Sequence, residues 1–308
     1  RAGQPTAHVD PKKVVAVVKT SMPLGMPGHF TPLDETTRQI GKNVCVFLEN
    51  EIRAGRIPKE FLPIQSGVGN IANAVLDALE TSTIIPPFQV YTEVMQDTFL
   101  QLLQSGRCKF VSTCSLTLSH DAMMNLFADI KNLRDKILMR PAEISNHPEI
   151  IRRLGVVSMN TAIEVDIFGN INSSHVSGTR LMNGIGGSGD FTRNAYTSIF
   201  VCPSIKKDDC ISTVVPMCTH IDHTLHSVDI IVTDQGVADL RGKDPIQCAH
   251  EIIENVAHPT YRPLLREYLK LSKGGHVLMN PNLALSFHSA LAATGDMRKT
   301  DYSHYQVD

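Results

Sequence analysis

The sequence predicts an α/β fold, an open mixed sheet with flanking helices. Three observations carry this. Apolar runs of strand length recur along the chain, and segments with apolar residues at three- and four-residue spacing lie between many of them. Two glycine-rich stretches, Ser66-Gly67-Val68-Gly69-Asn70 and Gly184-Ile185-Gly186-Gly187-Ser188-Gly189-Asp190, each open onto a helix-like segment. Between residues 155 and 172 the texture changes to closely spaced short strands around the turn Phe168-Gly169-Asn170, which reads as a hairpin.

In chain order, Val14-Val15-Ala16-Val17-Val18 reads as a compact buried strand. Residues 21–32 hold three prolines and two glycines and form a linker. Residues 34–53 form a helix with Ile40, Val44, Phe47, Leu48 and Ile52 on one face, stopped by Gly55. Residues 61–65 are a short strand entering the first glycine loop, and residues 71–79 a helix with Ile71, Val75, Ala78 and Leu79 inward. The apolar run 84–90 leads through Thr92 to a lone carboxylate, Glu93. Residues 98–103 are then helical, with Phe99, Leu102 and Leu103 on one face. A strand at 108–115, a helix at 121–130 and a short strand at 137–140 follow, until Pro141 interrupts. Pro148 marks the first turn of another short helix. Residues 190–195 open a helix after the second glycine loop. Residues 198–202, 212–216 and 228–233 are apolar strands, and 237–240 follows Gly236. Residues 245–256 and 261–270 are helices. Residues 274–308 are polar and read as a surface extension. The division expected is a main domain over 25–308, preceded by residues 1–24 as the tail of a missing N-terminal domain.

Composition limits function. The chain has 308 residues, 42% hydrophobic and 19% charged, which is globular usage with room for a large core. A formal charge of −2 offers no electrostatic case for nucleic acid. No stretch approaches the apolar length of a membrane span. Seven cysteines without paired short spacing read as reduced thiols.

Candidate chemistry centres on Glu93. A carboxylate just past the end of a strand lies where open α/β sheets keep their ligands. Small residues in both glycine loops let backbone N–H groups approach an anion or a developing oxyanion. The bland alternatives are a plain tight turn, a surface loop and a helix-capping acid. The expectation is that Glu93 and both loops meet in one pocket, with Glu93 as a nucleophile. Cys218, His220, His223 and His226 raise a metal reading, but neither zinc spacing fits and no metal is expected. The competing reading is a polar segment with one or two hydrogen-bonded imidazoles near the pocket.

Residues 65–75 (Gln-Ser-Gly-Val-Gly-Asn-Ile-Ala-Asn-Ala-Val), Tyr91-Thr92-Glu93-Val94, Gly184 to Phe191, and residues 233–242 (Thr-Asp-Gln-Gly-Val-Ala-Asp-Leu-Arg-Gly) resemble the acetyl-CoA hydrolase/transferase family. That family includes succinyl-CoA:acetate CoA-transferases and fungal mitochondrial acetyl-CoA hydrolases. The resemblance implies a CoA-transferase-like second domain of a protein about twice this length, a homodimer and a mitochondrial location. It implies Glu93 as the catalytic residue, with acyl-glutamyl and glutamyl-CoA intermediates. Val68, Gly69, Gly186 and Gly187 would serve as oxyanion and CoA-binding positions, and Asn146 would bind the carboxylate. Asp234 stands where relatives often carry Glu, as a further acid for the pocket. Coenzyme A would be a substrate, acyl-CoA and small carboxylates the small-molecule partners, and no cofactor would be held permanently. The reading that stays open beside it is a non-catalytic CoA-binding or structural fragment.

Overall fold

The computed structural model describes residues 8–21, 33–67, 69–272 and 279–303. Its centre is an eight-stranded sheet. In chain order the strands are β1 (Ile64–Ser66), β2 (Phe88–Tyr91), β3 (Cys108–Thr113), β4 (Ile137–Met139), β5 (Val157–Thr161), β6 (Thr197–Val201), β7 (Ile230–Thr233) and β8 (Gly236–Asp239). Their spatial order is β8-β7-β6-β5-β1-β2-β3-β4. All neighbours run parallel except β8, which returns antiparallel beside β7. The sheet is therefore open, mixed and flanked by helices, as the sequence predicts.

Alternation along the strands divides the core into two layers. Ile199, Val201, Ile230 and Val232 face a layer shared with the helices Glu35–Arg53, Asn70–Thr81 and Asp97–Gln104. Phe200 and Ile231 face the other way, toward the helices Pro245–Asn255 and Arg262–Lys270. The helices begin where side chains can take their free N–H groups. Asp34 accepts from Thr37 N at 2.7 Å. Asp244 and Gln247 form a reciprocal capping box.

Three expectations change. Residues 14–18 are not a buried strand: no described strand lies beside them, and Val15, Val17 and Val18 are 98%, 90% and 82% exposed. Residues 157–161 are not half of a hairpin but a central parallel strand between β1 and β6. The hairpin begins after it, where Glu164–Asp166 leaves the main sheet to pair antiparallel with Ile171–Asn172. The C-terminal part is not a surface arm. Residues 286–294 are helical, and Leu283, Phe287, Met297 and Tyr302 are buried against the second layer. Four well-separated apolar anchors suffice to dock a segment whose composition is otherwise polar.

Candidate active site

Strand order reverses direction between β1 and β5: β2 to β4 build outward on one side, and β5 to β8 on the other. Chain leaving the C-terminal ends of β1 and β5 diverges there and leaves a crevice, the usual ligand position in open α/β sheets. A cavity of about 530 Å³ occupies it. Its lining includes Gln65, Ser66 and Gly67 from the end of β1, Glu93 from beyond β2, and Asn160 and Thr161 from the end of β5. Residues 182–188 close it from above. Glu93 and both glycine loops thus meet in one cavity.

Glu93 is held by its own backbone. Its carbonyl accepts from Cys114 N and Ser115 N, both at 3.0 Å, and from Thr113 Oγ1 at 2.8 Å. The preceding Thr92 is tied to Ser112 O through its N–H at 2.9 Å. These bonds aim the side chain into the crevice, where Oε2 accepts the Gly187 N–H at 2.8 Å. A side chain at residue 187 would have to push the ends of Glu93 and Asn146 aside. A Cβ there would lie 2.1 Å from Glu93 Oε2 and 2.5 Å from Asn146 Nδ2. Gly186 lines the same wall with φ +55°, a left-handed conformation that favours glycine.

Asn146 is therefore beside both Gly187 and Glu93. Its Oδ1 is buried without a hydrogen-bond partner. Val68 lies outside the described residues. Gly69 does not line the cavity, and its N–H is spent on Gln96 Oε1 at 3.0 Å, so it is not a free oxyanion donor. Asp234 is not a pocket acid: it is absent from the lining, and its carboxylate caps the chain at Ser204, accepting from N at 2.6 Å and Oγ at 2.9 Å.

Several contributors escaped sequence reasoning. Gln96, fully buried, clamps the first glycine loop from below: Nε2 donates to Gly67 O at 2.7 Å while Oε1 takes Gly69 N. Gln65 and Asn160 form an amide pair across β1 and β5, and both line the cavity. Lys206 contributes a cation to the lining. A buried Gln directly after the Glu93 strand was the one available signal among these.

Of the histidines, His220 stacks on His175 with ring centroids 4.0 Å apart and reaches Asp222 at 3.1 Å. His226 lies in a single turn of 3₁₀ helix. His223 is buried beneath the second glycine loop.

Chemically, the site offers an ionisable carboxylate, a backbone donor already in contact with it, and neutral amides on the floor. That set can form a covalent bond to a carbonyl carbon and stabilise the charge that develops.

Comparison with known proteins agrees with this architecture. The fold is shared with solved structures: RipA of Yersinia pestis superposes with a TM-score of 0.68 at 24% identity, over 80% of this chain and 55% of that one. A 4-hydroxybutyrate CoA-transferase of Porphyromonas gingivalis superposes with a TM-score of 0.61 at 25% identity, over 79% and 57%. Residues 123–269 match the acetyl-CoA hydrolase/transferase C-terminal domain, and the chain carries the C-terminal domain of that family. It is 50% identical to a propanoyl-CoA:succinate CoA transferase of Escherichia coli, across 96% of this chain and 60% of the relative. It is 48% identical to a succinyl-CoA:acetate CoA-transferase of Clostridium kluyveri, across 93% and 54%. An acetyl-CoA hydrolase of Saccharomyces cerevisiae is 43% identical, across 97% and 58%. The chain spans little more than half the length of these relatives.

Proposed function

We propose that this chain supplies the nucleophile-bearing half of an enzyme that moves coenzyme A between an acyl-CoA, succinyl- or acetyl-CoA, and a small carboxylate such as acetate. The observation that carries the reading is the Glu93 carboxylate in contact with the Gly187 amide inside the switch-point cavity. A Glu93 oxygen attacks the thioester carbonyl, and the C–S bond breaks to release CoA thiolate and leave an acyl-glutamyl anhydride. The thiolate then attacks the Glu93 carbonyl and expels the acyl carboxylate, giving a glutamyl-CoA thioester. An acceptor carboxylate attacks that thioester, and the two steps run in reverse on the new acyl group. No general base is needed, because the nucleophile is already an anion and the leaving thiolate is stable. In this reading the Gly187 N–H, bonded to Glu93 Oε2, stabilises the oxyanion that forms there when the thiolate attacks the Glu93 carbonyl.

Hydrolysis to acetate and CoA is the same path with water intercepting the acyl-enzyme, so a dry cavity favours transfer. Asn146, whose Nδ2 adjoins Gly187 and Glu93, donates a hydrogen bond to the substrate carboxylate in this reading. The remaining length of the relatives supports a second, N-terminal half that completes the site, and we extend to the whole protein the homodimer and the mitochondrial location implied by its resemblance to fungal enzymes.

The test uses the full-length protein. Incubation with acetyl-CoA followed by borohydride is expected to reduce a glutamyl-CoA thioester at Glu93, and Glu93→Ala to abolish CoA exchange. Exchange undiminished by Glu93→Ala would end the covalent reading. CoA release that is unaffected by succinate, with no succinyl-CoA formed, would assign the protein to hydrolysis instead.

A further inference from the structure

Beneath the second glycine loop lies a buried polar unit that takes no part in the steps above. His223 is fully buried and packs against Phe200, ring centroids 4.9 Å apart. Its backbone is fixed by paired hydrogen bonds with Ile171. Its Nε2 lies 3.2 Å from Ser188 Oγ and 3.5 Å from Ser173 Oγ. Its Nδ1 is buried with no partner.

Counting the available protons assigns the direction of these bonds. Ser188 has one hydroxyl proton and spends it on Ile185 O at 2.7 Å. Ser173 directs its proton to Asp222 Oδ2 at 3.3 Å. Both serine oxygens therefore face His223 as acceptors, so Nε2 carries the hydrogen and Nδ1 is a bare lone pair. A second proton would have to sit on Nδ1, where no acceptor awaits it. The imidazole is a neutral, one-way donor.

What it donates into is the turn that carries Gly187. Ser188 N and Oγ both bond to Ile185 O, closing residues 185–188 into a turn with the Gly187 N–H directed at Glu93. The same unit holds the other end of the loop: Asn183 Nδ2 donates to Ser173 O at 2.9 Å, and Ser173 N donates to Asp222 Oδ2 at 2.8 Å.

We propose that His223 is a positioning residue which, through Ser188 and Ser173, sets the second glycine loop so that the Gly187 amide meets Glu93. It does not line the cavity. A misplacement of the order of 1 Å at that amide is costly to catalysis, up to about a hundredfold. The inference rests on the Glu93 reading.

Its test compares Ser188→Ala, His223→Leu, His223→Gln and the double variant Ser188→Ala/His223→Leu in the full-length protein, with kcat expressed per Glu93 trapped by borohydride. Both single losses are expected to lower kcat by roughly tenfold or more with KM for acetyl-CoA nearly unchanged. His223→Gln, whose amide N–H can take the place of Nε2, is expected to recover most of the rate. The double variant is expected to be no slower than the slower single, because the two side chains act in series. Full kcat in Ser188→Ala, a change confined to a half-exposed hydroxyl, would overturn the proposal, as would losses that multiply in the double variant. Absence of any trapped adduct in the unsubstituted protein would instead sink the Glu93 reading on which it stands.

Discussion

A methyl group at residue 187 fits only if the Glu93 carboxylate swings aside: its carbon would lie 2.1 Å from Glu93 Oε2. The Gly187 backbone itself is ordinary, with φ −78° and ψ −1°, so alanine there is opposed by its neighbour rather than by strain. Gly187→Ala is therefore expected to keep its melting temperature within a few degrees while losing kcat by about a hundredfold, the typical cost of one oxyanion donor. Steady-state rates beside a thermal melt check both halves of that statement.

His223 makes a second prediction at this scale. Burial pushes its imidazolium down to a pKa of about 4, against an opposing pull from Asp222 and with help from Arg193. A histidine whose folded pKa lies below its unfolded value, about 6.5, adds no penalty above pH 6.5. As pH falls from there toward 4, the unfolded chain gains a proton that the folded chain refuses, and stability drops. Denaturant midpoints measured across that window should fall less steeply in His223→Gln than in the unsubstituted protein.

Single elements are held by buried polar side chains more than their sequence patterns suggest. The first glycine loop hangs on Gln96, which satisfies Gly67 O and Gly69 N at once. Gln96→Leu strands both backbone groups, and about 2 kcal/mol of stability is expected to go with them. Urea unfolding of the 308-residue chain reads that loss. The C-terminal helix Ser286–Thr294 is tied to the hairpin by His288 Nε2 and Glu164 Oε2, 2.8 Å apart and both largely buried. Burial raises the Glu164 carboxyl, but His288, Thr219 and Asn172 outweigh it and hold it below its usual value. His288→Ala leaves that carboxylate buried with a partner missing, and a loss of about 3 kcal/mol is expected. Calorimetry that found no change in melting would show the helix to be held by Phe287 and its neighbours alone.

Across the whole molecule, the exposed run at residues 14–18 behaves as surface in this structure. Val17 is 90% exposed, so Val17→Asp should leave the melting temperature of the 308-residue chain unaltered, within the roughly 0.5 kcal/mol typical of surface changes. The same scale shows how far the sequence could be read. The helix at residues 35–53 was legible because Ile40, Val44, Phe47 and Leu48 repeat at helical spacing behind a capping Asp34. Glu93 and the two glycine loops were legible because small residues and a strand-end carboxylate are local signals. The long-range pairing was not legible. Val157–Thr161 looks like one arm of a hairpin in sequence, and only its neighbours Ile64–Ser66 and Thr197–Val201 make it a central parallel strand. Asp234, expected in the pocket only from the family resemblance, caps Ser204, thirty residues away.

By itself, then, the amino-acid order determined the alternation of strands and helices, the glycine-lined loops and the acid between them, since periodicity, chain stiffness and side-chain bulk act over a few residues. Which loops face one another, and which acid meets the Gly187 amide, was decided by strand order. The contact between Glu93 and Gly187 spans 94 residues of chain, and only the packed sheet brings a donor from one side of the reversal to the carboxylate on the other.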